Sequence, residues 1–371
     1  MILPVVDNFR KRFFYSSSAY HIKLLQSSAT SAMTYTLPCP EQELQLRFTL
    51  NGGQSFRWKE TKENEWTGVF SNRVWKLRRN NDSLEYDVYK CTKPKVSKGK
   101  KQKSDNSSSK PFTKAEVTEN EKLLIDYFRL DTSLKELYDN WSNADPVFKE
   151  AAEKFYGIRI LKQDPVENIF SFICSTNNHI SRISSMVEKL CTSYGEKICD
   201  LDGVSYFSFP PVEALAVEGV EENLRKLGFG YRAKYIHQSA MKIIEFGGNS
   251  WLDNLTKMSY KDAKVELMKL TGIGAKVADC ISLMSLGHLE SVPVDTHVFQ
   301  IASQLYLPHL KSAKTVTTKI YDEIGDHFRL LYGNEAGWAH TILFCADLKM
   351  FQDKGMKREK ITDKKSKRRK T

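Results

Sequence analysis

The chain has 371 residues, 41% of them apolar and 11% aromatic, with 56 basic against 45 acidic side chains. That apolar content supports a packed core and excludes wholesale disorder; no apolar run reaches the 18 residues that a membrane span requires. The net charge of +11 is uneven: residues 1–32 carry +3, 91–111 carry +6 and 349–371 carry +8, which leaves −6 for the rest. The bulk of the chain is therefore mildly acidic, and a polyanion must be met by a local patch. Seven scattered cysteines form neither a C-x-x-C pair nor a zinc-type group, a pattern that suits reduced intracellular thiols better than a disulfide scaffold.

Residues 1–32 are Ser-rich and carry Arg10, Lys11, Arg12 and Lys23 against Asp7, which suits an organellar transit segment or a frayed terminus. Leu44, Leu46, Phe48 and Leu50 alternate with Gln45, Arg47 and Thr49, which predicts a strand over 44–50. Further short aromatic and β-branched runs at 74–77 and 84–89 extend this to an antiparallel sheet over 40–90. The expected N-terminal sheet domain runs over 33–150, interrupted by a Lys/Ser insertion at 91–111 whose low complexity reads as disorder. Beyond about 115 the period becomes helical: Ile180, Ile183, Met186, Val187 and Leu190 share one face, as do Tyr260, Ala263, Leu267 and Leu270. A helical domain is expected over 151–348. The tail 349–371 ends in KKSKRRK, which reads as a nuclear localisation signal or a solubilising tail.

The stretch 260–298 carries the chemistry. A helix ends near Leu270, Thr271-Gly272-Ile273-Gly274 turns the chain, and a second helix begins at Ala275-Lys276. The two glycines permit a tight reversal and let backbone N–H groups at the new helix start approach a phosphate. A dinucleotide fingerprint needs a third glycine where Val277 stands, and a P-loop needs Ser or Thr after the lysine. Two readings remain on spacing alone: a helix-hairpin-helix that grips DNA backbone, and an ordinary αα-hairpin. Asp295, in Val292-Pro293-Val294-Asp295-Thr296-His297, suits a helix N-cap equally well.

Hairpin, Pro-containing loop and Asp about 20 residues on resemble the helix-hairpin-helix-GPD superfamily of base-excision DNA glycosylases. Asn51-Gly52-Gly53-Gln54-Ser55-Phe56-Arg57-Trp58, Gln163-Asp164-Pro165, Phe170 through Asn178, Leu227 through Ala233, Lys276 through Cys280 and Gly337-Trp338-Ala339 narrow the resemblance to 8-oxoguanine DNA glycosylase/lyases. It covers roughly 40–350 and implies an α+β fold, with a TBP-like antiparallel sheet domain before an all-α helix-hairpin-helix domain.

The resemblance implies a bifunctional glycosylase/lyase that flips 8-oxoguanine, or formamidopyrimidine-guanine, from opposite cytosine. Lys276 becomes the nucleophile, made neutral by desolvation beside a helix start, and Asp295 stabilises the cationic sugar. Gly53 would read N7–H; Cys280 and Phe344 would sandwich the base, with Pro293, Asp295 and His340 lining its pocket. Asn177, Arg182 and Arg232 would hold the orphaned cytosine while Tyr231 wedges into the gap. Gly272, Gly274, His297 and Lys314 would meet phosphate. No metal or organic cofactor is implied, and with only Cys345 beyond Cys280 no iron–sulfur cluster is expected. The expected partner is duplex DNA met by a monomer, without a membrane, in the nucleus and also in mitochondria.

Two positions depart from the family pattern. His340 stands where the family has a glutamine that reads the Watson–Crick edge of the base, and a neutral imidazole has fewer donors and acceptors than an amide. His179 replaces a third asparagine. These departures leave a sister glycosylase of altered lesion range as one alternative; an inert helix-hairpin-helix DNA binder is another, disfavoured because a mere binder needs neither Lys276 nor Asp295.

Overall fold

The computed structural model describes residues 33–90 and 112–348. The leader, the Lys/Ser insertion and the basic tail, with their expected targeting signals, lie outside the described residues. Among the described residues no helix is long and apolar enough to cross a membrane.

The sheet comprises β1 (Tyr35–Pro38), β2 (Lys59–Lys62), β3 (Glu65–Phe70), β4 (Arg73–Asn80) and β5 (Ser83–Lys90), all antiparallel, in the order β1-β5-β4-β3-β2. The β3–β4 turn closes through Ser71 and Asn72, both at left-handed φ (50° and 52°), as a two-residue hairpin needs. The predicted strand at 44–50 is instead a helix, α1 (Leu46–Asn51). Leu46 and Leu50 fit either period, being two steps of a strand repeat and one turn of a helix. Thr49 decides: alternation puts it outward, yet it is fully buried, donating to the Gly157 carbonyl (3.4 Å) and accepting from Arg159 N–H (3.2 Å).

One face of the sheet buries Trp66, Trp75, Leu77, Leu84 and Tyr86 against α2 (Lys114–Phe128), with Phe70 stacked between Trp75 and Tyr127 at 4.5 and 4.1 Å. Its other face is met through Val69 and Val74 by Ile198 of a second hairpin, β6 (Lys197–Leu201) and β7 (Val204–Phe207). Lys76 pairs there with Asp202 at 2.6 Å.

The helical part comprises α3 (Leu134–Ala144), α4 (Pro146–Lys154), α5 (Pro165–Ser175), α6 (Ile180–Tyr194), α7 (Val212–Ala216), α8 (Val220–Lys226), α9 (Arg232–Glu245) and α10 (Asn249–Leu255). It continues through α11 (Tyr260–Leu267), α12 (Ala275–Ile281), α13 (Thr296–Ile301), α14 (Thr318–Tyr332) and α15 (Ala336–Asp347). The molecule is thus α+β. Its two cores interlock: Leu134, Trp141 and Phe148 pack into the helical core, while Leu161 packs into the core of the sheet.

Two glutamines stitch the parts together. The buried Gln54 amide donates to the Arg159 carbonyl (2.8 Å) and accepts from Leu161 N–H (3.0 Å), while the Gln54 carbonyl accepts from Gln163 Nε2 (2.9 Å). Gln163 N–H donates to the Met284 carbonyl (2.9 Å), and the Gln163 carbonyl accepts from Ser285 Oγ (2.9 Å). Both partners sit in a π-helical turn, Ser282–Leu286, that continues α12.

Candidate active site

The hairpin forms where the glycines place it. Gly272 has φ +84°, and a Cβ there would lie 2.4 Å from the Tyr235 ring, so conformation and packing both demand glycine. Gly274 has an ordinary φ of −97° and no neighbour within 4 Å of a built Cβ. The fold itself does not require glycine at 274; the position leaves bare main chain at the start of α12. Ile273 is buried in the helical core between the two helices.

Lys276, the second residue of α12, faces a cavity of about 590 Å³, and Cys280 one turn later lines it as well. Buried Val292 and Val294 pin the following loop, so that Pro293 and Asp295 reach the same cavity. Asp295 also caps α13, accepting from Val298 N–H at 3.0 Å. Its capping role and its place in the cavity therefore coexist.

Behind this wall sits Asp279, which the sequence reading left without a role. Its carboxylate is fully buried and accepts from Tyr260 OH (2.7 Å), Lys264 Nζ (2.8 Å), Ser291 Oγ (3.1 Å) and Tyr321 OH. Tyr321 in turn accepts from Val294 N–H at 3.3 Å. One carboxylate thus ties the lysine-bearing helix to α11, to α14 and to the loop ending in Asp295. Nothing local in the sequence signals it, since its donors lie 12 to 42 residues away.

Gly53, His340 and Phe344 close the remaining walls, and His297 lines the cavity beside Phe344, their rings 6.1 Å apart, while pairing with Asp347 at 3.4 Å. Gly53 has φ +79° with open space where a Cβ would project. Phe172, quoted only as part of a motif, lies under Lys276, its ring 5.5 Å from Nζ. His179 lines the cavity too and caps α6 by accepting from Arg182 N–H at 3.3 Å.

The electrostatics correct one expectation. Lys276 is raised above its ordinary pKa, by Cys280 first and by Asp295 further, with burial opposing. Desolvation acts in the expected direction but is outweighed. Burial pushes the Cys280 thiol up to about 11, and pushes His340 down to about 4 against the pull of Asp295. Cys280 is therefore a thiol and His340 a neutral imidazole. Among the described residues no group of three metal-ligating side chains assembles.

Beside the cavity, two turns converge. Asn177 has φ +46°, and its carbonyl accepts from Arg232 (2.9 Å), which also donates to the Thr176 carbonyl. Tyr231 OH donates to that same carbonyl (3.1 Å), and the Arg232 guanidinium lies 4.6 Å from the centre of the Tyr231 ring. Arg182 reaches the Gly228 carbonyl at 3.5 Å. Arg232 is buried and spends its donors on main chain, whereas Arg182 and Tyr231 are exposed. Lys314 is exposed and does not line the cavity.

Comparison with known proteins agrees with this geometry. Residues 36–169 match the 8-oxoguanine DNA glycosylase N-terminal domain, and 170–325 match the HhH-GPD superfamily base excision DNA repair protein. The chain is 38% identical over 318 residues to the N-glycosylase/DNA lyase OGG1 of Arabidopsis thaliana, covering 85% of this chain and 80% of that one. MBOgg1 in complex with a low-affinity DNA ligand superposes with a TM-score of 0.69 at 30% identity, over 89% of this chain and 98% of that one. The Clostridium acetobutylicum 8-oxoguanine glycosylase/lyase, in complex with duplex DNA containing cytosine opposite 8-oxoguanine, gives 0.67 at 27% identity, over 82% and 91%. The chain belongs to the 8-oxoguanine DNA glycosylase family of helix-hairpin-helix base-excision repair enzymes, bifunctional N-glycosylase/DNA lyases.

Proposed function

We propose that the chain excises 8-oxoguanine, and its ring-opened formamidopyrimidine counterpart, from opposite cytosine in duplex DNA and then cleaves the strand by β-elimination. The observation that carries this reading is the convergence of Lys276, Asp295, Cys280, Gly53 and Phe344 on one cavity at the foot of the hairpin. Gly274 and the first N–H groups of α12 seat a phosphate, and His297 and Lys314 add contacts along the backbone. Tyr231 enters the gap left by the extruded base, and Asn177, Arg182 and Arg232 hold the orphaned cytosine.

The Lys276 ammonium passes a proton to Asp295 as the base arrives. The resulting amine attacks C1′, the bond from C1′ to N9 breaks, and the departing base takes up a proton. The aminated sugar opens to a Schiff base; loss of a C2′ proton then expels the 3′ phosphate, and water releases the lysine. Cys280 and Phe344 stack on the base while Gly53 offers its carbonyl to N7–H, a group that guanine lacks. The enzyme acts as a monomer, and the basic tail and Ser-rich leader direct it to the nucleus and to mitochondria.

Borohydride trapping on an 8-oxoguanine:C duplex tests the reading, with Lys276→Gln as the control. A covalent adduct in the wild type that vanishes in the variant is the expected result. Excision without an adduct overturns the lysine assignment, and binding without excision leaves only a DNA-binding protein.

A further inference from the structure

Tyr321, on α14, stands outside the cavity yet bears on it through the loop that delivers Asp295. It is buried, and Lys264 Nζ lies 4.8 Å from the centre of its ring. Burial first and the Asp279 carboxylate second hold its hydroxyl far above the ordinary phenol pKa, so the proton stays on. One hydroxyl therefore works in two directions, donating to Asp279 on α12 and accepting from Val294 N–H (3.3 Å), one residue before Asp295. The near end of the loop is held separately. Ser291 Oγ shares its proton between the Asp279 carbonyl (3.0 Å) and carboxylate (3.1 Å), and Gly337 N–H donates to the Leu289 carbonyl (2.8 Å). Past Ser291 the loop depends on Tyr321: Pro293 has no N–H to give, and Val294 spends its own on that hydroxyl. The cap that Asp295 makes on Val298 N–H fixes the direction of its carboxylate but not the distance of its main chain from Lys276.

We infer that Tyr321 is a positioning residue for base excision: its hydroxyl sets how far Asp295 stands from Lys276 by locking the end of the Asp295 loop to α12. It does not line the cavity, so it acts through Asp295 and touches neither base nor sugar. The inference rests on the excision reading above and adds a residue to it. Lys276 and Asp279 lie one turn apart on α12, so a loop fixed to Asp279 is fixed relative to Lys276. The two steps of the reaction depend on that distance unequally. In excision Asp295 takes a proton from Lys276 and then faces the cationic sugar as the bond from C1′ to N9 breaks. At an abasic site already formed, the lysine amine adds to the free aldehyde, water leaves, and no base departs. A misplaced carboxylate thus slows excision more than it slows cleavage at an abasic site.

The test compares Tyr321→Phe with Tyr260→Phe in the full chain. Each removes one hydroxyl donor from the Asp279 carboxylate, but of the two Tyr321 alone also holds Val294 N–H. Three quantities are measured: the maximal single-turnover rate of excision from an 8-oxoguanine:C duplex, the enzyme concentration that gives half that rate, and the rate of cleavage of a duplex with a preformed abasic site. Tyr321→Phe is expected to lower maximal excision by about tenfold or more, with the half-maximal concentration within about twofold and abasic-site cleavage within about threefold of wild type. Tyr260→Phe is expected to keep the ratio of excision to abasic-site cleavage within about twofold of wild type. A ratio unchanged by Tyr321→Phe, or moved as far by Tyr260→Phe, overturns the inference and leaves the hydroxyl a structural donor. Should Tyr321→Phe fail to fold, an amide-to-ester exchange that removes the Val294 N–H and keeps Tyr321 on Asp279 is expected to lower the ratio in the same way, and an unchanged ratio there overturns the inference. A wild type that cleaves the abasic duplex but excises no 8-oxoguanine removes the excision reading, and the inference with it.

Discussion

Asp279 and His340 are both buried polar side chains, one behind the cavity and one in its wall, and the protein serves them in opposite ways. Asp279 receives four donors from three separate elements, so its desolvation is offset and its geometry fixed. His340 receives none. A fully satisfied network rigidifies what it touches, here the helix of Lys276 and the loop of Asp295. An orphaned imidazole holds nothing in place, and its cost to stability persists only because the surrounding packing tolerates it. The contrast separates a part of the cavity wall held in place by polar bonds from a part whose polar atoms are left unpaired.

The contrast breaks most visibly at Asp279. Asp279→Ala strands the half-buried Lys264 ammonium and two tyrosine hydroxyls and is expected to lower unfolding free energy by about 3–5 kcal/mol in urea titrations. Asp279→Asn keeps the shape and part of the network and should cost less. At His340 the expected signature is a pH dependence. In the folded protein the imidazole stays neutral down to about pH 4, whereas in the unfolded chain it titrates near its ordinary 6.5. Between those values the unfolded state binds more protons, so stability falls as pH drops through the window, by about 3 kcal/mol in all. Thermal melts from pH 7 to pH 4 should show that slope in the wild type and lose it in His340→Gln.

A smaller, paired effect is expected in the hairpin. Gly272→Ala meets both a left-handed φ and the Tyr235 ring, and should cost about 1–3 kcal/mol. Gly274→Ala meets open space, and should leave stability within about 0.5 kcal/mol while weakening duplex binding roughly tenfold. Melting curves and fluorescence anisotropy on each variant check the pair; equal losses of stability would sink the distinction drawn between the two glycines.

Much of the site was legible in the sequence because its signals are local. A glycine turn between helical periods, a lysine two residues on and an aspartate before the next helix are read from spacing, and the cavity gathers the lysine and the aspartate. What escaped depends on distant partners. Thr49 turned a predicted strand into α1 through a bond across 108 residues, and Arg232 spends its charge on carbonyls 55 and 56 residues away. Asp279 looked like any helical acid until Tyr321 was brought to it. For Lys276, desolvation beside a helix start predicts a lowered pKa, and Cys280 and Asp295, brought beside it by the fold, act to raise it.

The two glutamines of the seam have a metrological consequence. Gly53 and Lys276 lie far apart in the sequence, yet Gln54 and Gln163 join the Gly53 loop to the π-helical continuation of α12 through consecutive hydrogen bonds. The two walls therefore behave as the jaws of a caliper locked at one opening. On the function proposed above, a base is gauged against a preset span, and one that misses the Gly53 jaw leaves its sugar out of register with Lys276 at the other.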